Sequence, residues 1–564
     1  MDQRRVLLAF VLMAVVLIAS QWWYGRIQPP PAGVSPADTT QVVESVPGET
    51  PPGPPPDTAA GPARVDTTAM AEADTSAALA PVVNLLLEGR PAPAPVEVET
   101  PLYRMTIDPR GGGIRQVELL RYESYREAGP VRLVPEGATF LDRWAEIGDR
   151  RLGIDTLTFQ PSRERLTLAA GDTATTLTLA YESSAGRIEQ TYRFEPAGYG
   201  VEYRLALDPG SAMEGILVTE LGPRLRSNEK NPREDYGQLR AVARVDGEVI
   251  SVEPDDAARS PVSRGGEIDW AGLRNKYFLG VVQAPIEGTL SAVEVRGESA
   301  DSLPHVRVAV RTPIRGSESA YRLYFGPQEY RQLAAFNDGL DDVNQYGWSW
   351  IRWMITPFGK GIVIVMLWLH QFVPDYGLVL VLFGVLVRLV MWPLTTKSFR
   401  SIQAMQRIQP EIQNLRERYK DDPQRMQQET MRLYREKKVN PLGGCLPNLI
   451  PMPILFALFF VFQSAIEFRG QPFLWLPDLS QPDPFYILPV LMGLTMFVSS
   501  KMMQTDPKMA ALTYAMPVVL TFVFLNLASG LVLYYTVSNV LTFAQQWLLR
   551  RGGPGAPEPQ PAEG

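Results

Sequence analysis

Tyr376-Gly-Leu-Val-Leu-Val-Leu-Phe-Gly-Val-Leu-Val-Arg388-Leu-Val-Met-Trp392, followed by Pro393-Leu394, is a stretch of nineteen residues with one charge. At 1.5 Å per residue it matches the roughly 30 Å hydrocarbon thickness of a bilayer, so it reads as a membrane-spanning helix. An arginine inside a span costs several kcal/mol unless it faces water or a partner. Trp392 marks the inner interface four residues on, so snorkelling of the Arg388 head group to lipid phosphates stands as one reading. The other is an inward-facing arginine. No acidic residue lies in another candidate span to pair with it, so that reading requires a water-filled cavity open to the cytoplasm. Asn448, Gln463, Thr495, Asn526, Asn539 and Gln545 are polar positions able to line such a cavity, although each also suits a helix–helix contact.

Working outward, Leu446 to Ile466 and Tyr486 to Met503 read as further spans. Ala510 to Leu549 is forty residues long, and one helix of about 60 Å would be twice the hydrocarbon thickness. Ala528-Ser529-Gly530 supplies a turn that divides it into spans 511–527 and 531–549. Residues 348–375 mix tryptophans with Arg352, Lys360 and His370 around the short apolar run Gly361 to Leu369, which predicts an amphipathic helix in the outer interface. Near the N-terminus Arg4 and Arg5 precede the apolar run Val6 to Ala19 and the aromatic Trp22-Trp23-Tyr24. Without an A-x-A cleavage pattern, 1–27 reads as a signal-anchor helix rather than a cleaved signal. The count is then six spans.

Charge placement agrees with six. The loop from Lys397 to Lys438 carries eleven Lys/Arg against six Asp/Glu, whereas Glu467 to Asp483 carries one arginine and three acids. All basic loops fall on one side if both termini are cytoplasmic. Within the basic loop, Asp422-Pro423 is a cap followed by a first-turn proline, which predicts two helices. Ile402, Met405, Ile408, Ile412 and Leu415 form a stripe on the first, and Met426, Thr430 and Leu433 on the second, as in a helical hairpin spanning 397–440.

The middle of the chain has another character. Residues 28–100 hold fifteen prolines and no aromatic residue, a composition too poor in apolar area to fold, and read as an extended tether. Beyond Pro101 the period switches to two. Ile188, Tyr192 and Phe194, then Val201, Tyr203, Leu205 and Leu207, form a hairpin with one wet face around Pro196 to Gly200. Similar segments at Arg165–Ala169, Thr176–Tyr181, Ile216–Glu220, Ala292–Val295 and Val306–Val310 predict a β-sandwich to about residue 335. Gly111-Gly112-Gly113 lacks the Gly-Lys-Ser/Thr of a phosphate loop and reads as a turn.

Several functions find no material. A net charge of −7 argues against a nucleic-acid binder, and a single cysteine, Cys445, excludes an intramolecular disulfide. His305 and His370 lie in unrelated segments, so no metal site, cofactor or catalytic constellation is expected. A transporter would carry repeated spans and paired intramembrane charges, and neither is present. A β-domain sensor would leave Arg388 and the basic hairpin unexplained.

The run Arg388-Leu-Val-Met-Trp-Pro-Leu-Thr-Thr-Lys397 resembles the arginine-bearing second span of the YidC insertase family. Lys438-Val-Asn-Pro-Leu-Gly-Gly-Cys-Leu-Pro447 with Met452-Pro453, Tyr486-Ile-Leu-Pro-Val-Leu-Met-Gly493 and Ser529-Gly-Leu-Val-Leu-Tyr-Tyr-Thr-Val-Ser-Asn539 resemble later parts in the same order. Trp270-Ala-Gly-Leu-Arg-Asn-Lys-Tyr-Phe278 resembles the periplasmic domain of the Gram-negative type. Two positions depart from the pattern: Gly384 stands where a polar residue is usual, and Asn526 where an aromatic is.

The resemblance implies a polytopic α-helical protein of the bacterial inner membrane with a large periplasmic all-β sandwich and a cytoplasmic helical hairpin. Its divisions are 1–27 anchor, 28–100 tether, 101–340 β-domain, 341–550 membrane core and 551–564 tail. It implies a chaperone-like insertase and not an enzyme, with nascent membrane proteins as substrates. The Sec translocon and ribosomes or targeting factors at the hairpin are the implied partners. Arg388 would attract an incoming acidic tail inside a hydrophilic groove. Met452, Pro453, Leu455, Val523 and Phe524 would form the surface along which the apolar segment slides, with Tyr535 as a further contact.

Overall fold

The computed structural model describes residues 93–551 apart from 184–185, 209–213, 285–289, 299–302, 337–338, 349, 438, 440–450 and 504–509. The expected signal-anchor, most of the tether, Cys445, Asn448 and nearly all of the tail lie outside the described residues.

Period-two alternation is what the strands obey. Gly186–Phe194 pairs antiparallel with Gly200–Asp208, matching Tyr192 to Tyr203 and Phe194 to Val201. Ile188, Tyr192, Phe194, Val201, Tyr203 and Leu205 point inward, and the intervening residues form the wetter face. Among the described residues the strands form a five-stranded and a fourteen-stranded sheet. Val98, Met105 and Val117 of the smaller sheet share one core with Leu177, Tyr192, Leu205 and Leu323 of the larger. This is the expected two-sheet packing, with one parallel pair, Val96–Glu99 against Arg165–Thr167, and three short α-helices, Pro232–Tyr236, Pro254–Arg259 and Tyr330–Phe336, added. Gly111 and Gly112 make the expected turn at φ +77° and +72°, and a Cβ on Gly111 would meet the Asp155 backbone at 2.8 Å.

The domain begins earlier than position 101. Val96–Glu99 is a strand, with Val96 and Val98 fully buried, so the tether ends before it. Four alternating residues after a proline-rich run are too short to read as a strand, and pairing with Tyr103–Ile107 is what creates it.

The second half is helical: α1 (Arg352–His370), α2 (Tyr376–Arg418), α3 (Pro423–Glu436), α4 (Pro451–Ser464), α5 (Ile487–Met503), α6 (Ala510–Phe524) and α7 (Ser529–Arg551). Two of them, α1 and α2, are long and apolar enough to cross a membrane by length and composition; parts of α4, α5 and α6 are shorter apolar helices. The apolar run Gly361–Leu369 understated α1, which is one helix of nineteen residues running through Pro357. Lys360 within it is neutralised by Asp341 and Asp342, so its charge does not interrupt the apolar face.

The expected boundary between the span ending at 394 and the hairpin starting at 397 is absent. One 43-residue helix contains both, and Pro393 and Pro410 lie inside it. A proline removes one ladder bond and bends a helix without always ending it. The cap at Asp422 is as expected: its carboxylate accepts from the Arg425 N–H at 3.0 Å, with Pro423 in the first turn. Ile408, Ile412 and Leu433 are buried between α2 and α3, flanked by Met405 and Leu415; Ile402, Met426 and Thr430 lie outside that cluster.

The division near Ala528-Ser529-Gly530 also stands. Ser529 N–H donates to Gln481 O at 2.7 Å, Gly530 N–H to Leu479 O at 2.9 Å, and Ser529 Oγ to Asp478 O at 3.1 Å. Gly530 is required there, because a Cβ would come within 2.5 Å of the Phe462 ring. The most extensive packing among the membrane-type helices runs α4–α1–α2–α7–α5–α6, leaving α4 and α6 at the two ends of the series.

Candidate functional site

Asp375 starts α2 by accepting the Leu378 N–H at 2.8 Å. Val379, Leu380 and Phe383 are buried on the face that turns toward the other helices, and Leu382, Leu386, Leu389 and Val390 stay exposed. Arg388 sits between these faces, half-buried. Its Nη2 donates to Gln545 Oε1 of α7, while its Nε is buried with no hydrogen-bond partner. Among the described residues no ion pair involves Arg388. Among the described residues, its one hydrogen-bond partner is a neutral amide.

Gln545 is fully buried and serves more than the arginine. Its Nε2 donates to Thr396 Oγ1 at 3.0 Å and approaches Trp392 O at 3.3 Å, and Thr395 Oγ1 lies 3.1 Å from its amide. Gln545 was legible in the sequence only as one polar residue among several; its partner lies 157 positions away. One step along, Gln546 is 5 % exposed, and neither of its side-chain polar atoms has a partner among the described residues. Next to Gln545, α7 thus carries buried polar capacity that no described residue uses.

Above this cluster, Gly384 lets α7 close in: a Cβ there would meet Val537 at 3.3 Å and the Tyr534 ring at 3.8 Å. Tyr534 faces α2, its ring 5.8 Å from Phe383, whereas Tyr535 turns to α6 and meets Phe524 edge-on at 5.0 Å. The structure therefore brings Phe524 and Tyr535 together and puts Tyr534 nearer to Arg388. Val523 and Leu455 are half-buried at the margin of the helical core, on α6 and α4. Pro453 is half-buried in the first turn of α4; Met452 beside it belongs to the helix, with its side chain outside the described residues.

A second polar cluster, not foreseen from the sequence, ties the β-domain to the segment between α4 and α5. Arg469 donates through Nε to Glu229 at 2.9 Å and through Nη2 to Glu123 O at 2.9 Å, and lies 4.1 Å over the Tyr125 ring. Tyr125 donates to Asp478 at 2.6 Å. Ile466 completes the joint by packing into the β-domain core. Burial pushes the Glu229 carboxyl up to about 7 despite the Arg469 guanidinium. Glu467 accepts from the Tyr330 N–H at 3.1 Å, and burial with Glu329 nearby raises its carboxyl to about 7. Arg121, Lys230, Glu329, Glu467 and Asp478 line a cavity of about 570 Å³ at this joint. Among the described residues no cluster of His, Cys, Asp and Glu could hold a metal.

Comparison with known proteins covers both halves. The family described as YidC periplasmic domain matches residues 95–358, and that described as 60Kd inner membrane protein matches 368–555. The chain is 31% identical to the membrane protein insertase YidC of Syntrophus aciditrophicus over 97% of its own length and 99% of the relative's. It is 34% identical to that of Geobacter sulfurreducens, covering 80% of this chain and 85% of the relative. Among solved structures, an active YidC insertase with its first transmembrane domain resolved aligns at 17% identity, with 83% of this chain and 96% of the other covered and a TM-score of 0.35. A galactose mutarotase-related enzyme from Lactobacillus acidophilus aligns with 41% of the chain and 97% of its own at 10% identity and a TM-score of 0.29.

Proposed function

The chain belongs to the YidC membrane protein insertase family, and from that premise we propose that Arg388 receives the tail of each protein being inserted. The chain is a membrane protein insertase rather than an enzyme, acts on nascent membrane proteins and is expected in the bacterial inner membrane with its β-domain in the periplasm. The observation that carries the proposal is that, among the described residues, Arg388 pairs with nothing stronger than an amide. A guanidinium so placed keeps most of its attraction for a carboxylate, about 4 kcal/mol for charges 4 Å apart at an effective dielectric near 20.

The apolar part of the substrate then needs an exit to lipid. Pro453 and Leu455 with Met452 on α4, and Val523 and Phe524 on α6, occupy the two ends of the helix series, which suits them to flank such an exit. Tyr535, touching Phe524, belongs to the same surface. Six spans with both termini cytoplasmic agree with the loop charges, and α1 then lies in the outer interface with Trp350, Trp353 and Trp368 toward lipid. The α2–α3 hairpin faces the cytoplasm, where its basic surface meets ribosomes or targeting factors, and the Sec translocon acts alongside.

The test is insertion of a small single-span protein into liposomes containing only this chain, scored by protease protection. Arg388→Ala is expected to lower insertion of acidic-tailed substrates about tenfold while Arg388→Lys retains most of it. Equal loss with both variants, whatever the tail, would exclude an electrostatic role.

A further inference from the structure

We propose that Gln545 is the positioning residue of the groove: its carboxamide fixes Arg388 and stands where the substrate's carboxylate will bind. This rests on the reading of Arg388 given above. The orientation of the amide follows from its neighbours. Trp392 O can only accept and Arg388 can only donate, so Nε2 must face the former and Oε1 the latter. Thr395 and Thr396 complete the cage on the α2 side, at 3.1 and 3.0 Å. Gln545 of α7 is thus held by four residues of α2, and Arg388 is fixed through it.

Neutrality is the useful property of this side chain. A guanidinium binds a carboxylate more strongly than an amide oxygen, so an arriving acidic tail can displace the amide without breaking an ion pair. A carboxylate built into the wall would pair with Arg388 permanently and leave the tail nothing to bind. The buried Nε of Arg388 and both polar atoms of Gln546 are unpartnered among the described residues. The unpartnered Nε leaves the Arg388 guanidinium with hydrogen-bonding capacity for a group from outside the fold.

The experiment uses the full chain in liposomes and two single-span test proteins, with N-terminal tails carrying aspartates or, at the same places, asparagines. The readout is the ratio of protected products, aspartate tail to asparagine tail. Gln545→Glu is expected to lower that ratio about tenfold, because Arg388 is neutralised internally. Gln545→Met, similar in volume without an acceptor, is expected to lower it about threefold by releasing the arginine. A general loss of folding would reduce both products and leave the ratio as it is. Ratios equal to that of the unaltered chain in both variants overturn the proposal. Arg388→Ala, run beside them, separates the two readings. Where it collapses the ratio and the Gln545 variants do not, only the positioning role falls; where it too leaves the ratio intact, the groove reading falls as well.

Discussion

The arginines at the β-domain and the one among the membrane-type helices are provided for differently. Arg143, fully buried in the β-domain, donates to Tyr321 Oη at 2.7 Å, Gln190 Oε1 at 3.0 Å and Gly112 O at 3.2 Å, with its guanidinium 4.1 Å over the Tyr203 ring. Arg469, at the foot of that domain, has the Glu229 carboxylate. Among the described residues Arg388 has one amide and an unpartnered Nε. Arg143 keeps an unpartnered nitrogen too, its Nη2, but it meets three acceptors and Arg469 an opposite charge. On the function proposed for it, Arg388, with one such partner among the described residues, keeps its charge available for a group that arrives later.

That contrast is easiest to break at Arg469. Arg469→Ala strands the buried Glu229 carboxylate and is expected to destabilise the joint by about 3–5 kcal/mol, read as a lowered Tm of the full chain in detergent. Arg388→Ala, which removes a buried charge without stranding one, is expected to shift stability by less than about 1 kcal/mol while abolishing tail selectivity. Equal destabilisation by the two variants would erase the distinction. A milder change sharpens it. Glu467, raised to about 7 in the folded chain, favours folding when protonated, so its contribution is present below the ordinary glutamate range and is lost as pH rises through about 7. Glu467→Gln should therefore match the native chain near pH 4 and exceed it at pH 8 by about 3 kcal/mol in unfolding experiments. The smallest effect lies outside both regions: Asp422→Ala removes the α3 cap, costs about 1 kcal/mol locally, and should speed amide exchange over Pro423–Glu436 alone.

Local chemistry made much of the fold readable. The hairpin around Pro196–Gly200, the cap at Asp422 and the break at Ala528-Ser529-Gly530 each depend on residues within a few positions of one another. The clusters do not. In Asp142-Arg-Trp-Ala-Glu-Ile147 the inward positions are Arg143, Ala145 and Ile147, while Trp144 is half exposed under Arg151. Read alone, that strand would place its tryptophan inside. It faces the other way because Gln190 and Tyr321, 47 and 178 positions away, supply acceptors for the arginine. Arg469 and Glu229 are 240 positions apart, and neither carries a local sign of the other. Arg388 stood out because the alphabet around it is apolar. Its partner Gln545 did not, because glutamine on a span is unremarkable until its neighbours are known.

The uninterrupted helix through Arg388 also has a mechanical meaning. Forty-three residues make a rod of about 64 Å, and the arginine lies thirty residues before its end at Arg418. The segment before Arg388 is the short arm of a lever, and α3 packs against the long one. A tilt of about 5° at the arginine sweeps the distant tip by about 4 Å over the roughly 45 Å between them. Pro393 and Pro410, where the rod lacks a rung, set how much of that stroke survives the journey.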